Sequence, residues 1–324
     1  MTLDIPTAVK LASYVGAGIC MGLGAIGAAL GEGYTAGLAN QGISQDPKKS
    51  GEIVKNMLVG QAVAESAGIF ALVIAILLLF LGLSTASIVN AAAFVAAGVC
   101  MGAGAIGSGI GSGYPAGEAC LGISRQPAVT GRLTTNMLIG SAVCQTPAIF
   151  SMVIALMLLF LDFSKGPVSP TWAAMLGAGI STGMAAIGSG LGGGMAAGAC
   201  CQGISRNPET TGQLTTAMLV GQAVSQTPSI FGLLVSFILM FKSYPEATTL
   251  AAPMALLAAG ISMGFGGVGP GIGNGLAAQG AVAWIARKVE AAGVLTRTML
   301  VGQAVSQSTA IYSMVVSLVL IFVV

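Results

Sequence analysis

The chain has 324 residues with 12 Lys+Arg and 10 Asp+Glu, so 7% of it is charged, against 55% hydrophobic residues and 49 glycines. A soluble domain carries roughly 25% charged residues, and disorder needs low hydropathy and high net charge, so both are excluded. The net charge of +2, with no basic cluster, leaves no electrostatic footprint for nucleic acid, and the absence of histidine removes the commonest general base and many metal sites.

Met1 to Pro6 lacks the basic region and cleavage site of a signal peptide. Apolar stretches then follow at 9–42, 54–82, 89–122, 134–161, 170–203, 215–241, 250–284 and 296–324. Each exceeds the roughly 20 residues that cross a bilayer core, and backbone satisfaction in lipid makes each an expected α-helix. Met57-Leu58-Val59-Gly60 returns as Met137-Leu138-Ile139-Gly140, Met218-Leu219-Val220-Gly221 and Met299-Leu300-Val301-Gly302, at offsets of 80, 81 and 81. The expected fold is therefore an all-α membrane protein of eight transmembrane helices in four tandem hairpins. These occupy 1–85, 86–165, 166–246 and 247–324, all in one orientation.

The first helix of each hairpin is studded with glycine, as at Gly16, Gly18, Gly22, Gly24, Gly27, Gly31 and Gly33. Small residues let transmembrane backbones approach closely. Glycine costs about 1 kcal/mol against alanine in a helix, so close packing on more than one side must offset it. The second helices are rich in Leu, Ile, Val and Phe and suit contact with lipid. A ring follows, with glycine helices inside and bulky helices outside. The loops within hairpins carry Lys48, Lys49, Lys55, Arg125, Arg132, Arg206, Arg287, Lys288 and Arg297; the opposite ends carry Lys10, Lys165 and Lys242. That asymmetry places the hairpin loops in the cytoplasm and both termini outside. The six cysteines lie inside predicted helices and read as small packing residues rather than a disulfide framework.

Three acidic residues fall within spans: Glu32, Glu65 and Glu118. Glu118 stands closer to its loop and reads as an interfacial group. Glu32 and Glu65 are equidistant from the centre of the first loop, so two antiparallel helices bring both to one depth near the bilayer middle. A carboxylate there is costly and is a functional candidate by default. Two such carboxylates cannot both ionise unpaired, so their occupant is a proton, or a small cation with one shared proton. In the other hairpins Glu65 becomes Gln145, Gln226 and Gln307, and Glu32 becomes Ser112, Gly193 and Asn274. The polar group is kept and the charge is lost. Gln61, one turn before Glu65, reads either as a hydrogen-bond donor to the carboxylate or as packing.

Glycine-rich inner helices, a mid-membrane outer-helix Glu and Arg-Gln-Pro-like loops together resemble the rotor-ring proteolipid, or c subunit, of ATP synthases and V-type ATPases. The loops read Gln45-Asp46-Pro47, Arg125-Gln126-Pro127 and Arg206-Asn207-Pro208, drifting to Arg287-Lys288-Val289. The resemblance covers almost the whole chain, as a fused form of four hairpins with three carboxylates lost. It implies a homo-oligomeric ring in lipid that turns against a stator a-type subunit bearing an Arg. The polar loops would grip central-stalk subunits, and no cofactor beyond the carried Na+ or H+ is implied. An ATP site is not expected on this chain, whose glycine runs lack a Lys-Ser/Thr ending.

Sodium-binding relatives carry Val-x-Glu-Ser-Thr-x-x-Tyr on the outer helix. Repeat 1 offers Glu32, Glu65, the Ser66 hydroxyl and the Val63 carbonyl, and departs at Ala67 and Phe70. Repeat 4 holds the pattern as Val305, Gln307, Ser308, Thr309 and Tyr312, with Gln for Glu. The family's pocket lies between hairpins. Glu32 and Glu65 are thus expected to meet Val305, Ser308 and Thr309 of a neighbouring copy, with Tyr312 in support; Val143, Gln145 and Thr146 of repeat 2 are the alternative neighbour. The preferred cargo is Na+, with H+ as the alternative. One ion per four hairpins supplies little work per turn, at about 2.3 kcal/mol per charge per 100 mV, which suits ATP-driven pumping. A parallel-repeat secondary transporter or channel is the competing class; it would spread polar groups over several repeats and break helices at mid-membrane. The proline positions that hint at such breaks are Pro115, Pro147, Pro228 and Pro270. A purely structural proteolipid pore, for which Glu32 and Glu65 would be dispensable, is a third class.

Overall fold

The computed structural model describes residues 4–80, 87–163 and 166–323, and these are almost entirely helical. Met1 to Leu3, the expected boundaries at 85/86 and 165/166, the end of the span at 54–82, and Lys165 lie outside the described residues. Hairpin 1 is α1 (Ile5–Gln45) and α2 (Ser50–Phe80). Hairpin 2 is α3 (Ile88–Arg125), α4 (Thr130–Cys144) and α5 (Thr146–Phe160). Hairpin 3 is α6 (Val168–Arg206), α7 (Thr211–Ser225) and α8 (Thr227–Phe241). Hairpin 4 is α9 (Ala251–Ile285) and α10 (Ala292–Val323). Among the described residues eight helical stretches are long and apolar enough to span a membrane, which makes the chain a multi-pass membrane protein of four repeated hairpins.

The eight expected spans are present, and two of them carry a mid-span break. The outer helices of hairpins 2 and 3 are interrupted at Gln145 and Gln226. Pro147 and Pro228 cause this: neither has an N–H, and each ring crowds the preceding turn. Pro115 and Pro270 run inside continuous helices. Hairpins 1 and 4 have Ala67 and Thr309 where those prolines stand, and their outer helices are continuous.

The helices form two layers. The inner helices α1, α3, α6 and α9 lie side by side in chain order. Each outer helix sits over the groove between its own inner helix and the next: α2 over α1 and α3, α4/α5 over α3 and α6, α7/α8 over α6 and α9. Glycine makes the inner layer possible. A Cβ added at Gly113 would stand 2.5 Å from Gly31 Cα, and one at Gly194 2.5 Å from Gly111 Cα. No side chain fits between backbones that close, so their close packing offsets the poor helix propensity.

The stack has two open edges. The most apolar stretch of α3 is 78% buried and that of α6 72%, whereas α1 and α9 reach 39% each and α10 only 22%. Helix α10 lacks the second inner helix that every other outer helix covers. The loop ends of the hairpins are held by short 3-10 turns at Pro47–Lys49, Pro127–Val129, Pro208–Thr210 and Val289–Ala291. Proline suits the first position of three of them because its φ is preset and its missing N–H is unneeded there.

Candidate functional site

The carboxylate row lies between the inner and outer layers, halfway along the hairpins. In hairpin 2 the Gln145 Nε2 donates to Ser112 Oγ at 2.6 Å, and in hairpin 4 the Asn274 Nδ2 donates to Gln307 Oε1 at 2.7 Å. These are the two positions that hold Glu32 and Glu65 in hairpin 1. Glu32 and Glu65 are likewise close enough to interact electrostatically. Glu32 is half-buried and Glu65 is exposed on the open edge.

The same row also links each hairpin to the one before it. Gln145 Nε2 donates to the Val63 carbonyl at 3.0 Å, Gln226 Nε2 to the Val143 carbonyl at 2.7 Å, and Asn274 Nδ2 to the Val224 carbonyl at 3.3 Å. In the last two cases the carbonyl is one that Pro147 or Pro228 leaves without its usual helical donor. The proline breaks therefore present backbone oxygen to the neighbouring amide. Replacing Gln226 with leucine removes that donor from a half-buried carbonyl and should destabilise the chain by about 1–3 kcal/mol. Thermal unfolding in detergent would read this as a lowered midpoint with assembly intact.

Sequence reasoning placed Val63 and Ser66 beside Glu65. In the structure the Val63 carbonyl is taken by Gln145, and the Ser66 hydroxyl donates to that same carbonyl at 2.7 Å. The Val63 carbonyl thus ties α2 to hairpin 2, and Ser66 caps that carbonyl from within its own helix. Their counterparts on the other open edge are Val305 and Ser308, with the same 2.7 Å hydroxyl-to-carbonyl bond. Val305 is 69% exposed and Tyr312 65%, and Thr309 is also exposed, its hydroxyl donating to Ser306. Gln61 Nε2 donates to the Glu32 backbone carbonyl at 3.1 Å, which makes it a helix-to-helix tie within hairpin 1.

Two residues of that Gln61 row escaped the sequence reading. Gln222 Nε2 bridges the Gly193 carbonyl of its own hairpin and the Gly140 carbonyl of the preceding one, at 3.1 and 2.9 Å. Gln303 Nε2 does the same to Asn274 and Gly221, at 3.0 and 3.1 Å. The repeat offsets of 80, 81 and 81 residues, counted from Gln61, were the signal available.

At the loop end, Gln45 Oε1 accepts from Ser124 Oγ at 3.3 Å, joining hairpins 1 and 2. Asn207 Nδ2 donates to the Ala286 carbonyl at 3.3 Å, joining hairpins 3 and 4. Asp46 accepts from the Lys48 N–H within its own turn. Arg125, Arg206 and Pro47 are exposed, while Gln126, Pro127 and Pro208 are half-buried. All six cysteines are free and buried. Among the described residues no group of three or more acidic or cysteine side chains could hold a metal.

The repeat geometry has a counterpart among known proteins. The sequence profile of the ATP synthase C subunit matches this chain four times, at 15–78, 95–158, 176–239 and 257–320. The chain belongs to the ATP synthase C-subunit family. Each match covers one hairpin and both members of its carboxylate row, so the family's unit is the hairpin and this proteolipid is a fusion of four. The K subunit of the A-type ATP synthase of Methanocaldococcus jannaschii is 32% identical over 70% of this chain and 94% of its own length. The ATP synthase c subunit of Natranaerobius thermophilus is 46% identical over 24% of this chain and 90% of its own. That of Prochlorococcus marinus (strain AS9601) is 46% identical over 23% and 91%.

Proposed function

We propose that this rotor proteolipid carries Na+ across the membrane on Glu65, with Glu32 as its partner, in a ring closed head to tail from several copies. One observation carries the reading. At each of the three internal interfaces a side-chain amide N–H meets the valine carbonyl of the preceding hairpin. Continued by one step, the pattern brings hairpin 1 of one copy against hairpin 4 of the next. There the amides are replaced by Glu32 and Glu65, and the carbonyl is that of Val305. Carboxylate and carbonyl oxygens are all acceptors, so this interface needs a cation where the others have an N–H.

Sodium suits the oxygen set better than a proton alone. Glu65, Glu32, the Val305 carbonyl and the Ser308 hydroxyl converge, with Thr309 and Tyr312 beside them. Hard oxygen ligands in that number match a hard cation, and one shared proton neutralises the second carboxylate. Repeat 2 is then not the neighbour that completes the pocket, because it already sits on the opposite side of hairpin 1.

The loops carrying Gln45, Asp46 and Pro47, Arg125, Gln126 and Pro127, and Arg206, Asn207 and Pro208 face the cytoplasm and meet the central stalk. Both termini are outside. A stator a-type subunit displaces the cation by presenting an arginine to Glu65. With one carboxylate pair per four hairpins, each ion takes a large share of a turn, so ATP hydrolysis can drive it against a steep gradient.

Carbodiimide labelling of intact rings is the direct test. Glu65 should be modified, and Na+ should slow the modification in a saturable, pH-dependent way. Modification unaffected by Na+ at every pH would replace sodium by the proton and leave the rotor standing. Finding single chains instead of rings in mild detergent would remove the rotor itself.

A further inference from the structure

We infer that the inner layer holds a second, non-transporting site, built around Glu118, that binds the zwitterionic headgroup of an aminophospholipid. Inner-helix residues two positions past the carboxylate row are turned about 200° from it and so face away from the outer helices. Those residues are Tyr34, Tyr114, Met195 and Leu276. They border a cavity of about 380 Å³ that also includes Glu118, Gln202 and Gln279 in its wall. None of these residues belongs to the ion site.

Glu118 is unlike its equivalents Leu38, Ala199 and Gly280 in the other hairpins. Its Oε1 accepts a long bond of 3.4 Å from Tyr34 OH, while Oε2 is buried and has no hydrogen-bond partner among the described residues. Arg125 and Arg206 act on it electrostatically. Neither forms an ion pair with it, since Lys49–Glu52 is the ion pair found among the described residues. A half-buried carboxylate so placed lacks a cation. Tyr34 and Tyr114 stand edge to face at 5.0 Å beside it, and aromatic faces next to a carboxylate favour an organic ammonium over a hydrated metal ion.

The cavity is graded along the helix axis. Met195, Leu276 and the two tyrosines line its end toward the bilayer middle, and toward the loops Gln202 and Gln279 supply polar groups among Gly280 and Ala283. Apolar inside and polar toward the surface is the polarity of a lipid. The ammonium would meet Glu118, with the acyl chains running toward the bilayer middle.

The test is lipid retention by rings purified in mild detergent from membranes containing phosphatidylethanolamine and phosphatidylglycerol, read by mass spectrometry. Wild-type rings should retain phosphatidylethanolamine selectively. Glu118→Gln should lower its retention by about tenfold or more, the loss of one charge-assisted hydrogen bond. Gly198→Leu should do the same by filling the cavity, because an added Cβ there meets Tyr114 Cβ at an ordinary 3.4 Å and the hairpin stays folded. Both variants should keep ring assembly and Na+-protected labelling of Glu65, which separates this site from the ion site. Equal retention in wild type and both variants, or retention of phosphatidylglycerol alone, overturns the inference. So does saturable binding of free ethanolamine to delipidated rings, which would make the ligand a soluble amine, or co-purification of a stalk polypeptide in place of lipid.

Discussion

Rings of the Glu65→Gln variant should assemble normally and transport no ions. Glutamine is what hairpins 2, 3 and 4 carry at this position, and there it is buried and bonded without distortion of the stack. The variant would turn the interface proposed to hold the cation into a fourth amide-bonded one. A neutral amide supplies its own donor to the Val305 carbonyl of the neighbouring copy, so no cation is drawn in. ATP-driven Na+ uptake into proteoliposomes should fall to background, and carbodiimide labelling of this position should vanish. Glu32→Gln should be milder, weakening Na+ protection by about tenfold, as expected for loss of one charged ligand. Residual uptake in the Glu65 variant would move the carrier role to another group.

Gly33→Leu should leave each copy folded and abolish the ring. Its equivalents Gly113, Gly194 and Gly275 each sit against the backbone of the preceding inner helix, at Gly31, Gly111 and Gly192. Among the described residues Gly33 meets nothing within 4 Å, and neither do Gly18 and Gly22 on the same helix. Within one copy a leucine at Gly33 projects into open space. In the ring it would strike Gly273 of the neighbouring copy, where the repeat offset leaves no room for a side chain. Native electrophoresis in mild detergent should therefore show single chains with unchanged helix content. Gly113→Leu is the contrasting case: it drives hairpins 1 and 2 apart inside one copy and should lower helix content or expression. Rings formed by Gly33→Leu would mean that copies do not associate through this edge.

The outer layer makes the same point about closure. A Cβ at Gly60, Gly140 or Gly221 would stand 2.5, 2.6 or 2.5 Å from the Cβ of Ala116, Ala197 or Ala278 in the following hairpin. Among the described residues Gly302 meets only Ala277 of its own hairpin, at 3.7 Å, and it borders an apolar cavity of about 330 Å³ with Trp284 and Met299. By the repeat offset, Ala36 of a neighbouring copy would fill it. Such a head-to-tail contact is heterologous, and it generates a closed ring when its rotation divides a full turn.

Much of this was legible in the residues because the bilayer is an exacting solvent. Unpaired charge is costly in it, so two carboxylates among 7% charged residues stood out, and the antiparallel hairpin put both at one depth. The repeat at 80 and 81 residues separated them from their neutral counterparts, and the hydrophobic stretches located every span. Faces were another matter. Inner helices with glycine all round, and outer helices apolar all round, have no polar stripe to say which neighbour lies on which side. Only the packed structure decided that the Val63 carbonyl is bonded by hairpin 2 and that Val305 lies exposed on the open edge of α10. It also decided that Pro147 and Pro228 break their helices where the adjacent amides take up the exposed carbonyls, and that Gln61 bonds a backbone rather than a carboxylate. Composition and periodicity report how much each helix buries and at what depth; which atoms meet across an interface depends on rotation about the helix axis, and that is set by tertiary packing.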